Sequence, residues 1–145
     1  MRRLIVGVAA LAVAGVAVSA YATEDVVTTR KALMDSNGAA AGIGAGLVKG
    51  EIPFNPATAK AVFTVMRAVA YSYGDYFPEG SGAGDTKASP KIWEDAAGFQ
   101  AALTKFQQDA DAALAANAAD VDAFKAAFGS VAGNCKSCHD AFRNP

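Results

Sequence analysis

Few of the residues that build metal sites or acid–base pairs are present. The 145 residues include one histidine, two cysteines and one tryptophan. Zinc takes four protein ligands, or three plus water, and the usual set cannot be completed from this stock. No second histidine or acid–base pair stands beside the one histidine, so an enzyme is not expected. Charge is sparse and balanced, with 13 basic against 14 acidic residues. The basic residues are scattered singly and no run interleaves them with aromatics, which argues against a nucleic-acid partner. Strand-forming alternation and internal repeats are missing as well, which leaves helix as the expected secondary structure.

The one long uncharged run sits at the start. Arg2 and Arg3 precede LIVGVAALAVAGVAV, Leu4 to Val18, and Ala20 and Ala22 form an A-x-A site. This is a secretory leader pattern, with cleavage expected after Ala22 and Ala20 as the near rival. The same stretch, Leu4 to Thr23, is just long enough to serve as an uncleaved anchor. Removing residues 1–22 of the 145 leaves 123, one ordinary domain over 23–145. Loss of Arg2 and Arg3 from the 13 basic residues leaves 11 against 14 acidic, a net charge of −3. The expected location is the periplasm, with no membrane attachment once the leader is removed.

Helical periods run through the remainder. One apolar row is Ala59, Val62, Phe63, Met66, Val69, Ala70 and Tyr73. A second is Ile92, Ala96, Phe99, Leu103, Phe106, Ala110 and Ala113, and a third is Val121, Phe124, Phe128, Val131, Cys135, Cys138 and Phe142. Asn55–Pro56 and Ser89–Pro90 read as N-caps with proline at the first helical position, and Asp120 can cap the last helix. Gly74 to Ser89 is the long loop. Glu24 to Lys49 is expected to be helical despite glycines at 38, 42, 44 and 46, each costing about 1 kcal/mol relative to alanine. Four helices with one long and two short connections predict an all-α, antiparallel four-helix bundle.

Both cysteines and the histidine fall within NCKSCHDAFRNP, Asn134 to Pro145. C-x-x-C-H is the signature of covalent haem attachment: two thiols add to the haem vinyl groups and the histidine ligates iron. Helical spacing puts Cys135 and Cys138 on one face, with His139 about 40° around from Cys135. Gly129 and Gly133, upstream on the same helix, could let a haem face approach. A disulfide within the pair would close a very short loop and constrain little. A thioredoxin-like pair would follow a strand and open a helix.

The C-x-x-C-H followed by Asp140, Phe142 and Arg143 at the end of a helical chain resembles the class II c-type cytochromes, which comprise cytochrome c-prime and its low-spin relatives. RKALMDSNG at Arg30–Gly38, KGEIPFNPA, YFPEGS and PKIWEDAAGF are similar to the family's landmarks, so the resemblance spans the mature chain. It implies one covalent haem c, thioethers at Cys135 and Cys138, and His139 as the proximal ligand. It further implies Arg30 near the haem propionates, Arg143 near the proximal side and Met34 facing the distal side; Trp93 and Phe99 are expected to be core or haem-packing aromatics.

Met34 divides two functions. LMDSNG looks more like the low-spin members, in which this methionine binds iron, and a His/Met pair raises the potential and closes the site. The first expectation is therefore a periplasmic electron carrier with His139 and Met34 as ligands, serving periplasmic redox partners. The alternative is a five-coordinate cytochrome c-prime that binds NO or CO, with Met34 only crowding the distal pocket. The resemblance also allows a homodimer through the first two helices.

Overall fold

Breaks in the chain are written by caps. Asn55 Oδ1 accepts the amides of Ala57 and Thr58 at 2.8 and 3.3 Å, and Pro56 takes the first helical position. Asp120 accepts the Ala123 amide at 2.9 Å, and Asn117 ends the preceding helix in the left-handed region at φ 42°. In the computed structural model, which describes residues 14–145 and the side chains from Asp25 onward, the helices are α1 (Ala14–Lys49), α2 (Pro56–Ser72), α3 (Lys91–Glu94), α4 (Ala96–Ala116) and α5 (Val121–Phe142). A 3₁₀ turn, Tyr73–Tyr76, extends α2. The expected leader lies outside the described residues for its first 13 positions.

The expected bundle is present. α1 packs on α2, α2 on α4, α4 on α5, and α5 returns to α1, with neighbours antiparallel. Among the described residues no strand occurs, only an isolated bridge between Ala88 and Arg143. The main core joins Leu47, Phe63, Met66, Phe124 and Val131, and a second cluster at one end joins Ile92, Phe99, Leu103 and Phe142.

One expected helix is two. Ser89–Pro90 opens only the single turn of α3, because Asp95 leaves helical geometry at φ −125° and caps α4 by accepting the Gly98 amide at 3.0 Å. A short carboxylate competes well for backbone donors, so a helix starts rather than continues there. Ala96, assigned to the apolar row, is consequently exposed. Met66, the other methionine of the mature chain, is fully buried in the core.

The glycines of α1 differ in purpose. A Cβ on Gly44 would lie 2.3 Å from the Phe128 ring, whereas Gly42 has nothing within 4 Å. Phe128 is itself stacked on Phe124 at 5.4 Å and cannot swing away freely. Gly42→Ala should therefore stabilise the protein by about 1 kcal/mol through helix propensity. Gly44→Ala should destabilise it, since overpacking at about 1–3 kcal/mol exceeds that gain. Guanidinium unfolding of the two variants beside the parent checks the opposite signs.

Candidate functional site

The motif lies in the last two turns of α5, where Phe142 turns inward and Asn134 is buried. Asn134 Nδ2 donates to Asp109 Oδ2 on α4 at 2.7 Å, which fixes the rotation of α5 just before Cys135. Beyond the helix, Ser89 donates its amide to Phe142 O at 3.0 Å and Asn144 donates to Lys87 O at 2.8 Å. The long loop is thus stitched to the end of α5.

Between these elements is a cavity of about 610 Å³. α1 contributes Val27, Arg30, Lys31, Met34 and Asp35; the turn after α2 contributes Tyr73 and Phe77; the loop contributes Asp85 to Ala88. Ile92 and Phe99 form the floor, and Cys138, His139, Phe142 and Arg143 complete the wall opposite α1. Residues more than a hundred positions apart meet here.

Six of the expected site residues, Arg30, Met34, Phe99, Cys138, His139 and Arg143, line this one space. Cys135 is half-buried one turn behind Cys138, outside the lining. Trp93 stands behind the wall: its indole N–H donates to Phe77 O at 3.2 Å and its ring packs 6.2 Å from that of Phe77. It props the wall rather than touching the cavity. Gly129 and Gly133 do not line the cavity either; both are exposed, and a Cβ on either would meet nothing. The close approach that glycine permits is at Gly44 instead. Phe77 was not anticipated as a wall residue, although it belongs to the YFPEGS landmark; Tyr73 ends the apolar row of α2, but the row did not assign it to a cavity.

The electrostatics favour an anion at one end and a neutral donor set at the other. Arg30 is only 4 % exposed, yet among the described residues its guanidinium makes a single hydrogen bond, Nη2 to Ser81 O at 2.7 Å, and lies 4.6 Å over the Phe77 ring. Its Nε and Nη1 are buried without partners among the described residues. Buried donors of this kind call for an acceptor, and an anionic group in the cavity supplies one. Burial lowers the Arg30 pKa, which marks the cost of its unpaired state. At the rim, Lys31 pairs with Asp85 at 2.6 Å and ties α1 to the loop. Tyr73 is pushed up to about 12 by burial, so its phenol keeps its proton.

Both cysteines are free thiols, and burial pushes both pKa values up. That is the reverse of a reactive thioredoxin-type cysteine, whose pKa is lowered. Burial, then the Arg143 charge, lowers the His139 pKa, with Asp140 opposing. Its imidazole is therefore neutral at pH 7, the state that ligates a metal. No group of three or more His, Cys, Asp and Glu among the described residues could hold a metal ion by protein ligands alone. A neutral imidazole, two protonated thiols on the same helix face, apolar walls and an unsatisfied guanidinium together fit a haem with its propionates.

A sequence profile described as Cytochrome C' matches residues 25–143. The chain belongs to the cytochrome c′ family. Family members bind one covalent c-type haem and are periplasmic in bacteria. Cytochrome c′ of Rhodopseudomonas palustris is 39% identical over 125 residues, covering 86% of this chain and 85% of that protein. Cytochrome c-556 of Agrobacterium fabrum is 36% identical over 117 residues, covering 81% of this chain and 80% of its own. Among solved structures, the nitric oxide complex of a point mutant of cytochrome c prime from Alcaligenes xylosoxidans superposes with a TM-score of 0.77 at 35% identity, covering 85% of this chain and 96% of that one. The low-spin His/Met kinship expected from LMDSNG gains no support from these likenesses. Among the described residues no helix is long and apolar enough to cross a membrane.

Proposed function

We propose that this member of the cytochrome c′ family is a five-coordinate protein that binds a small diatomic gas such as NO or CO. The observation that carries the proposal is the likeness, over the whole bundle, to a cytochrome c prime solved as its nitric oxide complex. When bound, the haem supplies an iron with one open coordination position. His139, neutral and held on α5, would ligate the iron. Cys135 and Cys138 would anchor the group by thioethers, and Arg30 would neutralise a propionate with the two donors it leaves unpaired. Arg143 adds positive charge beside His139. Met34, on the wall opposite, limits the size of what enters without ligating the iron. The role is one of binding rather than turnover, in the periplasm after removal of residues 1–22, with periplasmic redox proteins and a second copy of the chain as partners.

Electron transfer with Met34 as second ligand is the other reading, favoured by the position of Met34 and His139 on opposed walls of one cavity. The reduced visible spectrum separates the two, recorded with and without CO for the parent and for Met34→Ala. Gas binding predicts a broad high-spin spectrum that CO changes at once. Met34→Ala should then bind CO about tenfold more tightly, the worth of relieving a few methylenes of crowding. A sharp α band that resists CO and disappears in Met34→Ala would establish the electron carrier instead.

A further inference from the structure

Arg30 and Tyr73 come from different helices and meet at one ring. The Arg30 guanidinium lies 4.6 Å over Phe77, and the Tyr73 ring stands edge-on to that same Phe77 at 5.1 Å. All three line the cavity. Neither polar group satisfies the other: among the described residues Arg30 donates only to Ser81 O, and the Tyr73 hydroxyl takes part in no hydrogen bond. Tyr71, two residues earlier and exposed, gives its hydroxyl to Asp111 at 2.5 Å. The tyrosine withdrawn from solvent is thus the one without a partner.

The Tyr73 oxygen is not sealed in protein as Arg30 Nε and Nη1 are, so it opens onto the cavity that its half-buried side chain lines. The groups whose charges act on the phenol are Arg30, Cys138 and Arg143, all three on the walls of that cavity. Burial keeps the phenol protonated, with a pKa of about 12. A neutral phenol has a proton to donate, and a guanidinium has only donors. Both therefore ask for an acceptor, and they ask for it in the same place.

We infer that Tyr73 is a positioning residue for the haem, its O–H donating to the propionate carboxylate that Arg30 neutralises. A carboxylate has about four lone-pair sites on two oxygens and can accept from both. Arg30 supplies the charge, and the hydroxyl, on a ring steadied by Phe77, supplies direction. Tyr73 opens the 3₁₀ turn that follows α2, so this bond ties α2 to a group otherwise held from α1 and α5. The inference rests on the covalent haem of the family and not on the choice between gas binding and Met34 ligation.

The test is resonance Raman spectroscopy of the reduced holoprotein at the propionate bending band, for the parent, Tyr73→Phe and Arg30→Gln, beside guanidinium unfolding. Tyr73→Phe keeps the ring against Phe77 and removes only the hydroxyl. Expected is a band at lower frequency, because a hydrogen bond stiffens the bend, shifted in the same sense as in Arg30→Gln. The folded-to-unfolded ratio of Tyr73→Phe should fall about tenfold, the worth of one hydrogen bond to a charged group. A packing role alone would leave the band in place, since phenylalanine fills the same space. A band unmoved in Tyr73→Phe but moved in Arg30→Gln would overturn the inference and leave the Arg30 assignment standing. If instead the band stays and the C–O stretch of the CO adduct moves, the phenol faces the gas and the inference is equally overturned. A parent protein without haem would overturn the haem reading and this inference with it.

Discussion

Replacing Cys135 and Cys138 together with serine should abolish covalent haem, so that acid–acetone extraction removes all colour and a denaturing gel shows no haem stain. Each thiol gives its sulfur to one vinyl carbon and its proton to the neighbouring carbon, a balanced addition that a serine hydroxyl does not make. Burial keeps both thiols protonated, which matches that need. The single variants should each retain one thioether and remain stained. Haem that stays with the denatured double variant would show that attachment does not run through this pair. His139→Ala separates anchoring from ligation: staining should persist while the spectrum loses its imidazole-ligated form.

The second large effect concerns the core. Phe124 is fully buried, 5.1 Å from the Phe63 ring, 6.2 Å from Phe54 and 5.4 Å from Phe128. Phe124→Ala removes the hub of that cluster and should cost about 3–5 kcal/mol. Native domains have only about 5–15 kcal/mol in total, so the variant should unfold at a much lower guanidinium concentration. A loss under about 1 kcal/mol would mean that the surrounding rings collapse into the space, contrary to their tight contact with α1 at Gly44.

The elements most legible from sequence were those with local chemistry. Asn55–Pro56 and Asp120 carry their own caps, and the row through Phe63 and Met66 matches the buried face of α2. The break at Asp95 was not legible, because the apolar period runs straight across it and only the side-chain bond to the Gly98 amide interrupts the helix. Arg30, Met34 and Phe99 were recognised through family resemblance, and the cavity collects all three. Trp93 matched the same landmark yet sits one layer out, since a motif specifies neighbours in sequence and not depth from a ligand. Phe77 escaped notice as a wall residue because its surroundings come from other elements. Gly44 was counted as a cost, when its missing side chain is what lets α5 approach.

The antiparallel pairing of Arg30 and Met34 with Phe142 and Cys138 also bears on how the protein reports its own condition. Contacts between segments so distant in sequence close a very long chain loop, and they form only once the intervening helices are in place. A fragment that omits α2 or α4 should lose the wall geometry, since α2 and α4 link α1 to α5 in the bundle. The colour of the holoprotein is thus an intrinsic gauge of cooperative order: a change in coordination seen during denaturation should coincide with the loss of helix circular dichroism.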